Sequence, residues 1–285
     1  MIPLFKVKKA GVYGSIQDRG RHGYQRFGVP VSGAMDLKSY QLGHYILGNN
    51  SNSPSLELFL GGQEFEVLHD HRIVMTGANL EATLDGEPVP NWKSFLVFSG
   101  QVLRFARPLD GSIAYLTPEG GFYSEMLLGS ASVYPKGLLG TPLKKGMILY
   151  GNRAHRGKFQ TGLCFSERPE FDQQVEVEVW RSPHEHLFTK DAVETFFTST
   201  YTLKTGDRMG YLLEGPQLEF IKGSDILSEA TQFGTIQVPN SGQPIILMAD
   251  AQTIGGYATI GKIAQADLWK VAQLKRGGEV RFKRR

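Results

Sequence analysis

Glycine supplies 34 of the 285 residues, about 12% against a usual share near 7%. These glycines fall between short runs rich in β-branched and aromatic residues, which leaves room for many tight turns and short strands. The runs are Phe5–Lys8, Leu56–Leu60, Ile73–Thr76, Phe95–Phe98, Val102–Ala106 and Ser112–Thr117, spaced as in a barrel or sandwich. Asp85-Gly86 has the chemistry of a hairpin turn. Val175-Glu176-Val177-Glu178-Val179 alternates strictly and predicts a half-exposed strand with carboxylates on its outer face.

Helices are few. Leu37, Leu42, Tyr45 and Ile46 form a partial stripe stopped by Gly48-Asn49. Thr189 caps a second helix over Thr189–Phe197, with Val193, Phe196 and Phe197 on one face. A third covers Asp267–Leu274, with Leu268, Val271, Ala272 and Leu274 inward and Gly277-Gly278 at its end. Strands and helices do not alternate regularly, which argues against a large parallel sheet. Leu138–Ser182 is rich in glycine, basic residues and loops, and the alternation at Val175 opens a new regime. The expectation is a mainly β chain of two domains, 1–170 and 171–285. Phe27-Gly28-Val29-Pro30-Val31-Ser32-Gly33 and the stretch from Phe233-Gly234 to Val238-Pro239-Asn240-Ser241-Gly242 share an F-G…V-P-x-S-G pattern. A tandem duplication or ordinary turn chemistry produces such an echo.

The formal charge of +3 is too small an excess to argue for nucleic acid, and the basic tail Arg281-Phe282-Lys283-Arg284-Arg285 reads as a solvated end. No apolar run approaches the roughly 20 residues that cross a bilayer. Met1 to Lys9 lacks a secretory pattern, so a cytoplasmic protein without a membrane partner is expected. Cys164, the single cysteine, has no disulfide partner and reads as a core residue.

Polar residues concentrate in Gln17-Asp18-Arg19-Gly20-Arg21-His22-Gly23, which leads to Ser32-Gly33-Ala34-Met35-Asp36. Arg19 and Arg21 can grip a carboxylate or phosphate, and Asp18 and Asp36 can orient them or move a proton. A solvated turn with a surface Asp–Arg pair accounts for the same residues. Gly206-Asp207-Arg208-Met209-Gly210 joins Asp, Arg and Gly again, and hairpin chemistry explains it equally well. Asp250 follows the apolar run Ile245–Ala249, a place for a buried functional carboxylate or for a turn-forming Asp. Gly256 to Ile263 nearly matches a phosphate-binding loop but has Ile263 where the magnesium-binding hydroxyl belongs. The preferred reading is a glycine loop at Gly255-Gly256 that lines a small polar pocket with Gln252 and Thr253. His69-Asp70-His71 and His184-Glu185-His186 each give half a metal site, and no third ligand stands at a recognisable spacing.

Taken together, Gln17 to Arg21, Gly28-Val29-Pro30-Val31-Ser32-Gly33-Ala34-Met35-Asp36, Asp207 to Tyr211 and Gly234-Thr235-Ile236-Gln237-Val238-Pro239 to Gly255-Gly256-Tyr257 resemble a known family. It is the carboxyltransferase-domain family that contains allophanate-hydrolase subunit 2 and the antagonist of a sporulation-kinase inhibitor, understood as the C component of bacterial 5-oxoprolinase. The resemblance runs from about Val7 to Phe282. It implies two tandem cyclophilin-like β-barrel domains with a few short helices. It also implies a cytoplasmic, ATP- and magnesium-dependent complex that hydrolyses 5-oxo-L-proline to L-glutamate, in which this chain acts with the A and B subunits. The alternatives within the resemblance are carboxyl transfer to urea or a related amide from a biotin carrier, and a regulator that antagonises a histidine-kinase inhibitor by binding the B-type partner. The chain has no Met-Lys-Met for biotin attachment and no amidase Ser/Lys signature. On this resemblance Asp18, Arg19, Asp36, Arg208 and Asp250 are the catalytic candidates. Gln17, Arg21, Ser32, Gly33, Met35, Gln237, Gln252, Thr253, Gly255, Gly256 and Tyr257 are the substrate-binding candidates. Two stretches depart from the family pattern, Arg181-Ser182-Pro183-His184 and Ser228-Glu229-Ala230.

Overall fold

The computed structural model describes residues 1–152 and 161–285. Residues 153–160 of the loop-rich Leu138–Ser182 stretch lie outside that description. The chain divides into two compact units, Met1–Arg21 with Ser32–Phe171, and His22–Val31 with Asp172–Arg285. Both are mainly β, as the glycine-cut runs require.

The first unit is two antiparallel sheets. One has the spatial order Phe122–Tyr123, Ile148–Gly151, Ile2–Ala10, Gln63–Val67, Val102–Arg104, Thr83–Leu84 and Glu87–Pro88. The other runs Tyr13–Gln17, Ser55–Phe59, Ile113–Pro118, His71–Gly77 and Phe95–Val97. Strand alternation explains how they stack. Leu56, Leu58, Ala114, Leu116, Ile73 and Met75 point to one side of the second sheet and share a core with Leu4, Phe5, Phe65 and Leu103 of the first. The opposite side of the second sheet carries Ser15, Gln17, Ser55, Glu57, Thr76, Tyr115 and Thr117, all buried.

That polar side lies under helix α1, Leu37–Leu47. Gly48 ends α1 at φ 65°, as the sequence predicts, and Asp36, a catalytic candidate in the sequence, caps it by accepting from Ser39 N. Gly43 allows close approach, because a Cβ there would lie 3.1 Å from Thr76 Oγ1 and 3.2 Å from Thr117 Oγ1. His44 Nε2 meets Ser55 Oγ at 2.9 Å, and Ser55 Oγ meets Thr117 Oγ1 at 2.8 Å.

The second unit contains a closed barrel, ordered Gln174–Arg181, Thr259–Ile263, Thr235–Gln237, Ile245–Leu247, Gly210–Glu214, Thr200–Gly206 and Glu279–Arg284. Closure is a parallel pairing from Gln174↔Glu279 to Val179↔Arg284. Val177, Val179, Ile236, Ile246, Ile260, Val280 and Phe282 are buried. Helix α2, Lys190–Thr198, is capped by Thr189 as expected and stacks Phe196 on Phe282 with ring centroids 4.4 Å apart. A short α3, Leu268–Ala272, follows a 3-10 turn at Gln265–Asp267 and buries Leu268, Val271 and Ala272. Outside the barrel, Asp225–Ala230 pairs with Ile254–Tyr257.

Several expectations are corrected. The basic tail is the closing strand of the barrel, with Val280 and Phe282 inward and the cations outward, so only its cationic face is solvated. Cys164 is exposed, because it precedes the short 3-10 turn Phe165–Glu167 and caps it. The stretch from Gly256 to Ile263 belongs to two strands, Ile254–Tyr257 and Thr259–Ile263, and Gly255-Gly256 is strand, not loop. The two F-G…V-P echoes differ locally, since Gln25–Phe27 is a 3-10 turn and Thr235–Gln237 a barrel strand.

Burial depresses the pKa of His44 from 6.5 to about 4. Between those values the unfolded chain binds a proton at this site and the folded chain does not, so acid favours unfolding. Stability to urea is expected to fall by roughly 3 kcal/mol as pH drops from about 6.5 to about 4, with no further loss from this group below that. Replacing His44→Gln should flatten this part of the pH–stability curve; an unchanged slope would assign the acid sensitivity elsewhere.

Candidate functional site

Each unit holds part of the candidate residue set. In the first unit Asp18 is 1% exposed and its carboxylate is filled with donors. Oδ1 accepts from Gly20 N at 2.7 Å and from the hydroxyls of Ser130 and Ser132 at 2.6 Å each, and Oδ2 accepts from Ala131 N at 2.7 Å. The Arg21 guanidinium, also buried, donates to Ser132 O. Gln17 Nε2 donates to Ser15 Oγ and Val133 O. Arg19 is exposed.

Residues 32–36 are tied down by three successive amides. Ala34 N donates to Asp18 O at 3.0 Å, Met35 N to Glu57 Oε2 at 2.8 Å, and Asp36 N to Tyr115 Oη at 2.9 Å. Tyr115 in turn donates to Glu57 Oε2 at 2.6 Å. Burial first, and the Glu57 carboxylate next, push the Tyr115 phenol well above its ordinary pKa, so it stays a donor. Asp36 Oδ1 and Oδ2 accept from Ser39 N and Oγ. The anchored loop holds Ser32 at φ 56°, a left-handed conformation that costs on the order of 1 kcal/mol or more. Ser32 Oγ is buried with no hydrogen-bond partner among the described residues. Gly33, at φ 85°, passes so close to the preceding turn that a Cβ would lie 2.9 Å from Gly20 N.

In the second unit Arg208 and Asp250 form a buried two-pronged pair, Nε to Oδ2 at 2.8 Å and Nη2 to Oδ1 at 2.9 Å. Arg208 follows Asp207, whose Oδ1 accepts from Met209 N and Gly210 N and makes the hairpin turn. Asp250 N donates to Arg208 O at 2.7 Å. Gln237 is 3% exposed. Its Oε1 accepts from the exposed Gln252 at 3.1 Å, while Nε2 is buried with no partner among the described residues. The amide lies against Gly255, where a Cβ would collide with Nε2. Thr253 O accepts from Thr231 N, and Thr231 Oγ1 donates to Gln252 O. Gly256 is half-buried and Tyr257 43% exposed. Lys262, the lysine of the near-phosphate-loop, donates to Gln232 Oε1, and burial lowers its pKa.

Sequence spacing brought out the anchored loop and Asp18 but missed the other two anchors, Glu57 and Tyr115. Glu57 sits in Ser55-Leu56-Glu57-Leu58-Phe59, where strict alternation places it beside Ser55 on the polar face, and that was the available signal. Ser130 and Ser132 gave none. The H-x-H pairs separate: His69 is exposed, whereas His71 is buried and its Nε2 meets Glu119 O at 3.0 Å. Among the described residues no group of three His, Cys, Asp or Glu is placed to hold a metal ion.

The family described as carboxyltransferase domain, subdomain A and B, matches residues 27–284. The chain belongs to this carboxyltransferase-domain family. Two proteins named as the C component of 5-oxoprolinase are similar along almost all of it. The one from Haemophilus influenzae is 36% identical, over 99% of this chain and 90% of the relative. The one from Escherichia coli is 34% identical, over 98% and 90%. The urea carboxylase of Kluyveromyces lactis superposes with a TM-score of 0.91 at 29% identity, over 99% of this chain and 27% of that one. Solved chains sharing this fold are longer, and this chain spans between 19% and 56% of their length.

The carboxyltransferase-domain scaffold buries the Arg208–Asp250 pair, and removing one partner strands a charge. Arg208→Met or Asp250→Leu alone is expected to cost about 3–5 kcal/mol in urea unfolding. The double variant should recover most of that loss. A double variant as unstable as the sum of the singles would mean that the two side chains do not act as a pair.

Proposed function

We propose that this chain is the C component of an ATP-dependent 5-oxoprolinase that opens 5-oxo-L-proline to L-glutamate together with the A and B subunits. The observation that carries the reading is the 34–36% identity to two proteins of that name across 90% of their length. A lactam is a weak electrophile, and opening it requires charge on its oxygen to be stabilised as water adds and the ring C–N bond breaks. Arg19, exposed beside the anchored Asp18, is suited to meet such charge or the substrate's carboxylate. Asp18, Asp36 and Asp250 act by fixing the backbone and Arg208, and Ser32, Gly33 and Met35 present a rigid loop edge. Gln237 and Gln252, with Thr253, Gly255, Gly256 and Tyr257, form the polar wall of the second unit. The stretch from Gly256 to Ile263 is strand, and ATP with magnesium enters this reading at the level of the complex.

Carboxyl transfer to a urea-like amide is the second reading, favoured by the superposition on urea carboxylase. Both readings place a small planar amide on this scaffold.

The deciding measurement is 5-oxoproline-dependent ATP hydrolysis and glutamate release by purified A and B partners with this chain added or omitted. Turnover only in its presence is the expected result, and Arg19→Ala should then lower kcat/KM by about tenfold or more. A stable complex without turnover would transfer the weight to carboxyl transfer, tested with a carboxybiotin carrier and urea.

A further inference from the structure

The two stretches that depart from the family pattern meet in the second unit, and they meet beside Gln237. His184 Nε2 lies 3.3 Å from Glu229 Oε2. Glu229 stands opposite Gly255 in the outer ribbon, and Gly255 is the residue against which the Gln237 amide packs. Gln237 is the cross-strand partner of Thr259, at a register shift in the barrel. Thr259 returns to His184, with its hydroxyl 3.1 Å and its amide 3.3 Å from Nδ1. These side-chain contacts and cross-strand pairings link His184, Glu229 and Thr259 in a ring with the one glutamine amide whose Nε2 is buried and unpartnered among the described residues.

Donor logic fixes the direction of the ring. The Thr259 amide can only donate, so His184 Nδ1 accepts and Nε2 carries the proton toward Glu229. Ser182 Oγ accepts from His184 N and contacts Thr259 Oγ1 at 2.5 Å, extending the chain by one hydroxyl. The Glu229 side chain is 59% exposed and that of His184 12%, whereas Gln237 is 3% exposed. The ring thus leads from solvent to a buried donor that has nothing to bond. A buried N–H without an acceptor is destabilising, and a ligand oxygen that reaches it removes that penalty.

We propose that this ring is a binding site for the carbonyl oxygen of a small planar amide, held by Gln237 Nε2, with Thr259, His184 and Glu229 as its proton connection. The site rests on the cyclic-amide reading given above and assigns its location and three residues, Thr259, His184 and Glu229, that the family resemblance does not. The protons balance. When the Thr259 hydroxyl gives a proton to Nδ1 and takes one from the ligand or its attacking water, His184 becomes an imidazolium whose Nε2–H stays on Glu229. The Nδ1 proton then returns through the Thr259 hydroxyl to the nitrogen that leaves, and the ring ends as it began.

The test uses the full chain with 15N in its glutamine side chains. Addition of 5-oxo-L-proline, or of urea in a separate titration, is expected to shift one NH2 pair, identified by its loss in Gln237→Glu. That variant should weaken binding about tenfold. In the reconstituted complex His184→Gln should lower kcat by about a hundredfold with KM within about twofold, and Glu229→Gln should lower it less. No shift of the Gln237 pair with either amide overturns the site. If turnover still requires this chain in that case, the cyclic-amide reading survives and only its location falls. A shift of the pair combined with wild-type kcat in His184→Gln overturns the proton connection.

Discussion

A carboxylate taken out of water is costly unless donors replace the lost hydration, and the arrangement within each unit follows from where that replacement is made. Asp18 is the clearest case. Its four donors come from residues 20, 130, 131 and 132, so satisfying one side chain pins the turn after the Tyr13–Gln17 strand to a segment more than a hundred residues away. Asp18 also offers its carbonyl to Ala34. Glu57 and Tyr115 take the next two amides in turn. Three consecutive anchors over-determine the loop, and that is the condition under which a serine can be kept at positive φ.

The second unit solves the same problem with a cation. Arg208 meets both oxygens of Asp250, while the two backbones exchange a further bond at 2.7 Å. A hairpin tip is thereby locked to the turn that leaves the Ile245–Leu247 strand. Such a pair contributes less to net stability than its geometry suggests, because desolvation opposes the attraction. Its use is positional: it fixes the entry to the segment that carries Gln252 and the two glycines.

What was legible in the sequence is what local chemistry encodes. Thr189 acts as a helix cap by accepting from Ala192 N, three positions on, and Asp85-Gly86 turns a hairpin with both residues at positive φ. The paired glycines at 255 and 256 misled, because glycine marks close backbone approach in a strand as well as in a loop. The Gln237 amide occupies the space that the missing side chain of Gly255 leaves. The Asp18–Ser130–Ser132 cluster was illegible for a different reason. Its members are joined only by the packing of the finished sheet, and no spacing rule links positions 112 and 114 residues apart. Cys164 shows the reverse error, where a residue type that is usually buried caps an exposed turn.

The same reasoning separates groups that build the frame from groups able to act on a ligand. A carboxylate whose lone pairs are already filled, as in Asp18, has no capacity left for a ligand, and Asp250 commits both oxygens to Arg208. Substituting either dismantles the frame, so loss of activity in such variants carries no information about chemistry. Groups with bonding capacity left over are, in the first unit, the hydroxyl of Ser32 and the exposed guanidinium of Arg19, and in the second unit the amide nitrogen of Gln237. Two amides that share a carbonyl flanked by nitrogen differ mainly in ring atoms and in the carboxylate that only one of them bears. Telling them apart needs a cation for the carboxylate as well as a neutral donor for the carbonyl. In the proposed site Gln237 is a donor of the neutral kind and would read only what the two amides share, so its loss is expected to weaken both alike.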